Sequence, residues 1–252
     1  YAPPTGFPQE HFDLESRIAK KNTSREDSED VKKANNPWKR GDFAVKAPGL
    51  DWDAYFAAAS LKDQQNYIVW HPTAIVGTSA LVGSEPLATW KDYLTFRLVN
   101  HYAGILPKAF VDAKFAFYGT TLNGTPKNRD RWKRAIDSTN ANLGEVVGKL
   151  YVAKYFPPSA KAKIEAMVKD LLTAYHARIS KLAWMSPKTK EKALAKLSTL
   201  RVGVGYPDKW KDYSSLDIVR GDALGNLKRS EMFEYKINLA KLHQPVDRGE
   251  WV

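Results

Sequence analysis

Apolar residues recur along most of this chain at spacings of three and four, the period of an α-helix that turns one stripe toward a core. The longest such run predicts a helix over 159–182, with Ala160, Ile164, Met167, Val168, Leu171, Leu172, Tyr175, Ile179 and Leu182 on one stripe. Pro157 and Pro158 stand ahead of it, where missing N–H groups leave nothing unsatisfied. Ser186-Pro187 then opens a second helix, a hydroxyl cap followed by proline at the first helical position. That helix is expected to bury Ala193, Leu194, Leu197 and Leu200, to turn Lys188, Lys190, Lys192 and Lys196 to water, and to end at Gly203 and Gly205. The pair is predicted to form an α-hairpin.

The rest of the chain reads in the same way. Phe12, Leu14, Ile18 and Ala19 mark a helix over 12–21. Ser24 opens another, and Glu26, Asp27, Glu29 and Asp30 near its start suit the positive end of a helix dipole. A carboxylate pair or metal site is the competing reading of those acids, but no His or apolar pocket accompanies them. Residues 35–39 read as a turn, Asp51 as the cap of a short helix, and 67–70 as the best strand candidate. Leu87, Trp90, Leu94 and Leu98 give a helix over 86–101, and helix continues over 106–118 until the Leu122-Asn-Gly124 turn signal. A basic helix over 129–150 has Trp132, Ile136, Leu143, Val146, Val147 and Leu150 as its stripe, with Gly144 and Gly148 expected to admit a close helix neighbour. A last helix spans 227–242. The predicted fold class is mainly α, a multi-helix domain with little strand.

Composition supports a packed core, since 43% of the 252 residues are hydrophobic and 8 Trp, 12 Tyr and 10 Phe are among them. No apolar stretch approaches the roughly 18 residues needed to span a membrane. The chain opens Tyr1-Ala-Pro-Pro-Thr-Gly6 without an initiator Met or a charged-then-apolar leader, so a removed targeting segment or an internal start is expected. Net charge is +11 and unevenly spread. Residues 149–211 hold 12 Lys, Arg178 and Arg201 against Glu165, Asp170, Glu191 and Asp208, a local excess of +10. Such a stretch raises nucleic acid or an acidic protein as a partner. Lys at helical spacing, without clustered Arg, reads more simply as a solvated helix face.

Candidate chemistry is thin. The five histidines are His11, His71, His101, His176 and His243, and no two lie within five residues of each other. A zinc helix needs His at i and i+4 so that both nitrogens meet one ion. Each of these histidines is therefore read as a surface or packing residue. The absence of Cys excludes thiolate nucleophiles and thiolate metal sites. Gly203-Val-Gly205 lacks the third glycine of a dinucleotide loop and the Gly-Lys-[Ser/Thr] of a phosphate loop, and there is no G-x-S-x-G elbow. The Trp and Tyr stripes are read as core rather than as a ligand cage.

Three segments carry a resemblance: Tyr155-Phe-Pro-Pro-Ser-Ala-Lys161, Trp184-Met-Ser-Pro-Lys-Thr-Lys190 and Val204-Gly-Tyr-Pro-Asp-Lys-Trp210. Others fall in a consistent order around them: Asn36-Pro-Trp38, Asp51-Trp-Asp53, Trp90-Lys-Asp-Tyr-Leu94, Phe115-Ala-Phe-Tyr118, Arg131-Trp-Lys-Arg134, Gly148-Lys-Leu-Tyr-Val152 and Pro245-Val-Asp-Arg-Gly-Glu-Trp251. Together they resemble the N-terminal, non-catalytic helical region of the neprilysin-like zinc metallopeptidases, the M13 family. The resemblance covers nearly the whole chain. The family's H-E-x-x-H zinc motif occurs nowhere in the 252 residues, and its substrate-pairing N-A-[Tyr/Phe] segment would follow Val252.

The resemblance implies that residues 1–242 form a helical cap and that 243–252 lead toward a catalytic zinc domain outside this chain. It implies a zinc metalloendopeptidase acting on peptides, in which the cap encloses a chamber and zinc belongs to the complete enzyme. There a zinc-bound water attacks the peptide carbonyl, Glu takes the proton, and zinc and His stabilise the oxyanion. This chain alone is then expected to be inactive, with no catalytic or metal-ligating residue of its own and no substrate-binding residue distinguished. A companion chain or C-terminal segment with the zinc helix is its expected partner, docking on apolar surface that the chain leaves exposed. Lack of Cys favours a bacterial protein, periplasmic or secreted, with cytoplasmic as the alternative. The alternative function is a stand-alone basic helical module binding nucleic acid or an acidic protein.

Overall fold

Polar side chains at helix starts and apolar anchors behind them set the local structure of the computed structural model, which describes residues 9–251. The opening Tyr1–Gly6 segment and Val252 lie outside the described residues. The chain divides into two compact units, residues 1–127 and 128–252.

The first unit begins with α1 (Gln9–Ala19), α2 (Arg25–Glu29) and α3 (Val31–Ala34). Ser24 caps α2 by accepting the Asp27 N–H, and Asp30 caps α3 by accepting from Lys32 and Lys33. Strand β1 (Pro37–Lys39) follows, then α4 (Arg40–Lys46), α5 (Trp52–Ala58) and strand β2 (Asn66–Ile68). The strands pair antiparallel, with Trp38 opposite Tyr67. Residues 35–39 are thus not simply a turn. Three residues headed by a proline are too short to show a period of two, and only the partner strand reveals them.

Around this ribbon sits an aromatic core. Phe43 of α4 has Trp38, Trp52, Phe56 and Tyr67 around it with ring centroids 4.8–5.2 Å apart, mostly edge-on or tilted. Such aromatic pairs favour edge-to-face contact because ring faces are negative and edges positive. Asp51 caps α5 as the sequence predicts, accepting from Ala54 N–H at 2.9 Å. Next come α6 (Pro72–Ser84), α7 (Leu87–Tyr102) and α8 (Lys108–Lys114), the last running directly into a π-helical turn at Phe115–Thr121. Helix α6 escapes periodicity analysis because Pro72-Thr-Ala-Ile-Val-Gly-Thr is apolar on all sides and rich in β-branched residues. Helix α1 is held to the chain beyond α6 by Arg17, whose guanidinium makes a bidentate pair with Glu85 at 2.5 and 2.8 Å.

The second unit holds α9 (Arg131–Tyr155), α10 (Pro158–Lys181), α11 (Pro187–Ser198) and α12 (Ala223–Ala240). Helices α10 and α11 pack together as the predicted hairpin. Ser186 caps α11 with its hydroxyl on the Thr189 N–H and Pro187 sits in the first turn. The helix ends at Ser198, short of Gly203, and Leu200 is half exposed rather than buried. Helix α9 extends to Tyr155, five residues past its predicted end. Gly144 has no atom within 4 Å of where a Cβ would stand, and Gly148 faces the Trp210 side chain, so neither glycine admits a neighbouring helix.

The segment Val204–Trp210 packs between these helices through aromatic contacts. Tyr206 stacks on Trp210 with ring planes 7° apart and receives the edge of Phe156. Gly205 is needed there twice over: its φ is +70°, and a Cβ would stand 2.8 Å from the Phe156 ring.

Candidate functional site

In an amphipathic helix the apolar stripe is expected to be the buried one. In this chain several stripes are exposed. On α10, Ile164, Met167, Leu171 and Tyr175 follow at spacings of three and four and all face solvent, Met167 at 68% exposure. Helix α9 repeats the pattern with Trp132 and Ile136 in its first half and Val146 and Leu150 in its second, Leu150 at 70%. Trp184, at the α10–α11 turn, is 77% exposed.

Within the first unit, α7 does the same. Leu87, Leu94 and Leu98 point outward while Thr89 is buried. On α1, Leu14 and His11 are buried and Phe12 is 63% exposed. The expectation that these stripes pack a core within the chain is thus met only in part: Val168, Leu172 and Ile179 on α10 and Leu143 and Val147 on α9 are partly buried, while the outward-facing residues named above are exposed. Exposed apolar residues recurring along one helix are a candidate interaction surface.

The histidines are dispersed. His11 is buried on α1 with Nε2 3.6 Å from the Asp92 carboxylate. His71 stands at the N-cap position of α6, with Nδ1 buried and without a hydrogen-bond partner. His101 ends α7 against the Tyr102 ring, and His176 lies on the exposed side of α10. His243 has a positive φ of 62° just past α12. Among the described residues no group of three His, Asp or Glu side chains could hold a metal ion.

The acidic run at 26–30 is used structurally: Asp27 pairs with Lys33, Arg25 lies 3.6 Å from Glu29, and Asp30 caps α3. Beside it is an open groove of about 270 Å³ lined by Val31, Lys32, Ala34, Asn35, Ile68 and Trp70.

The basic stretch is not uniformly solvated. Lys161 is largely withdrawn from water: its ammonium donates to Asp208 at 2.6 Å and to the Tyr206 carbonyl at 3.1 Å, and sits 4.4 Å from the Tyr206 ring centre. The hydrogen bond to Asp208 raises its pKa above the ordinary lysine value. At Lys211 burial opposes the charge, but the Glu234 carboxylate, 2.9 Å away, outweighs it and the pKa is again raised. These two lysines are structural, and no feature of the sequence distinguished them from their solvated neighbours. Burial raises the pKa of Tyr93 in the first unit, with Glu15 adding to it. No helix among the described residues is long and apolar enough to cross a membrane.

Known proteins resemble this chain over nearly its whole length. The family model for the N-terminal part of peptidase family M13 matches residues 4–207. A neutral endopeptidase of Lactobacillus helveticus is 29% identical over 248 residues, which is 98% of this chain and 38% of that protein. An endothelin-converting enzyme homolog of Locusta migratoria is 24% identical over 258 residues, 95% of this chain and 35% of the relative. Among solved structures, the zinc metalloprotease Zmp1 of Mycobacterium tuberculosis in its open state superposes with a TM-score of 0.88 at 37% identity, over 96% of this chain and 38% of that one. PepO of Lactobacillus rhamnosis gives 0.84 at 25% identity, over 96% and 39%. The chain therefore spans less than two fifths of the length of each of these proteins.

Proposed function

The chain belongs to peptidase family M13 and spans its N-terminal region, and from that premise we propose that it forms the helical cap and chamber wall of a zinc metalloendopeptidase that cleaves peptides. The zinc site lies in sequence outside these 252 residues, on a C-terminal segment or a companion chain. The observation that carries this reading is the set of exposed apolar residues on α7, α9 and α10. Covering such side chains against a partner removes their remaining apolar area from water, which favours association at roughly 25 cal/mol per Å² before the costs of association. Left in water, the exposed part of the same side chains makes no such contribution.

Enclosure is the chemistry this chain contributes. Rigid helices that shut a peptide away from bulk water limit which substrates reach the reacting groups, and they strengthen electrostatic interactions inside the closed space. The chain itself contributes no zinc ligand, so hydrolysis depends on its partner. That relatives include a neutral endopeptidase and a zinc metalloprotease supports the assignment of peptides as substrates and zinc as cofactor. A periplasmic or secreted site of action goes with this reading.

The test is reconstitution. The 252-residue chain is mixed with a polypeptide carrying the H-E-x-x-H helix, and complex mass, zinc content and peptide cleavage are read by native mass spectrometry and a fluorogenic peptide. A one-to-one, zinc-bearing, active complex is the expected outcome. Failure to associate, or cleavage by the chain alone, would sink the proposal. A lone zinc-free chain that binds nucleic acid with steep salt dependence would put the binding-module reading in its place.

A further inference from the structure

The chain reverses at Asn123-Gly124 because glycine accepts a left-handed backbone: Gly124 has φ +67°, just past the π-helical turn at Phe115–Thr121. The same dipeptide has a chemistry of its own. An asparagine carboxamide carbon is an electrophile within reach of the next residue's backbone nitrogen, and that nitrogen is least crowded when the next residue is glycine. Asn123-Gly124 is the one such pair in the sequence. The other asparagines precede residues with side chains, and Asn36 precedes a proline, which has no N–H to give up.

In the folded chain both reacting groups are engaged elsewhere. The Asn123 carboxamide donates to the Tyr118 carbonyl at 2.5 Å, and the Gly124 N–H donates to the Thr120 carbonyl at 3.0 Å. The next N–H, of Thr125, bonds the Gly119 carbonyl at 2.9 Å, and the Thr120 hydroxyl donates to the Thr125 carbonyl at 3.1 Å. Tyr118 is fixed in turn by Asn100 of α7, whose amide donates to the phenol oxygen at 2.9 Å. Asn123 and Gly124 are nonetheless exposed, at a helix end, where local opening is far easier than global unfolding.

We propose that Asn123 is a modification site, converted without an enzyme to aspartate and isoaspartate at a rate metered by the opening of this helix end. In the open form the Gly124 nitrogen bonds Cγ of Asn123 and gives its proton to solvent. The Cγ–Nδ2 bond breaks, and Nδ2 leaves as ammonia from a cyclic imide. Water then opens the imide. Attack at Cγ restores the backbone and yields aspartate, whereas attack at the main-chain carbonyl leaves the chain running through Cγ and yields isoaspartate. The balance is amide plus water to acid plus ammonia, and nothing is oxidised or reduced.

The product cannot close the helix end as before. A carboxylate has no N–H for the Tyr118 carbonyl, and it meets the negative end of the helix. Isoaspartate also lengthens the backbone, which shifts the Gly124 and Thr125 donors out of register. This site is a property of the chain itself and stands whether or not the chain serves as a peptidase cap.

The full 252-residue chain is incubated in mildly alkaline buffer, folded or unfolded in urea. Conversion at each asparagine is followed by peptide mass mapping, with isoaspartate distinguished by electron-based fragmentation. Asn123 should convert before any other asparagine in the unfolded chain. In the folded chain it should convert about thirty-fold more slowly, as expected for two ordinary hydrogen bonds that must open first. Equal rates in the two states would show that the helix end meters nothing, and faster conversion of another asparagine in urea would remove the site; either overturns the proposal. Asn123→Asp supplies the product's carboxylate without the reaction. Amide exchange at 119–125 should then run about ten-fold faster while that of α7 is unchanged, and unaltered protection at 119–125 would count against the proposal.

Discussion

The hydroxyl of Ser79 donates to the carbonyl of Ala47 at 2.7 Å while accepting the Leu50 N–H at 3.0 Å. One buried side chain on α6 thus ties down both ends of the turn between α4 and α5. The same Ala47 carbonyl also receives the Trp52 indole N–H at 2.7 Å, which orients that ring against Phe43. Gly49, inside the turn, has φ +120° and would place a Cβ 2.1 Å from the Ser79 carbonyl oxygen.

Ser79→Ala strands the Leu50 N–H beside α6 with no side-chain acceptor. A buried donor left unpaired costs about 1–3 kcal/mol. Urea unfolding of the variant should show a lower midpoint with an unchanged slope. A midpoint equal to that of the parent would mean that the turn finds another acceptor.

Two glycine substitutions should move stability in opposite directions. Gly205→Ala must hold an alanine at φ +70° with its Cβ against Phe156, and the backbone term alone costs about 1–2 kcal/mol. Gly41 lies within α4 with nothing within 4 Å of its Cβ position, so Gly41→Ala should stabilise by about 0.5–1 kcal/mol. Thermal melts of the two variants should bracket that of the parent.

Acid sensitivity should trace to capping carboxylates. The Asp222 pKa is lowered by the Gly225 N–H and then by Arg229, and the Asp42 pKa by the Lys39 N–H and then by Lys46. A folded pKa below the unfolded value, about 3.9, means stability that is fully present above that value and lost as pH falls through the folded pKa. The urea midpoint should therefore decline below about pH 4. Asp222→Asn keeps an acceptor for the Gly225 N–H but cannot titrate, so it should flatten part of that decline. The raised pKa values of Lys161 and Lys211 act at the other extreme. Their contributions are complete below the ordinary lysine value and disappear as pH rises through the raised one.

Charged substitutions on the α10 stripe should separate docking from folding. Met167→Glu and Leu171→Glu alter exposed positions, so the isolated chain should keep its stability to within about 0.5 kcal/mol. Binding of an apolar dye should fall, and association with a zinc-bearing C-terminal polypeptide should be lost. Retained association with both substitutions in place would show that this stripe is not the docking surface.

How much of this was legible from the residues depended on what each signal encodes. Ser186-Pro187 and Asp51 announced their helix starts because a cap is a local device. Periodicity put Ile164, Met167, Leu171 and Tyr175 on one face, but a period says which residues share a face and nothing about what covers it. For the same reason Leu14 and Phe12, both apolar and two residues apart, could not be told apart until α1 met its neighbours. Strand β1 was hidden because its partner lies about thirty residues further on. The bond from the Lys211 N–H to Glu145 of α9 was equally hidden, since it joins groups 66 residues apart.

Asp30 ends one helix and begins the next. Its N–H bonds the Asp27 carbonyl at the close of α2, and its carboxylate accepts the Lys32 and Lys33 N–H groups at the opening of α3. Helices of five and four residues are far below the length at which a helix persists alone in water. Because both depend on one residue, neither has a melting transition of its own. The segment from Ser24 to Ala34 behaves as a single cooperative letter in the chain's alphabet of local openings, and its amides should exchange together or not at all.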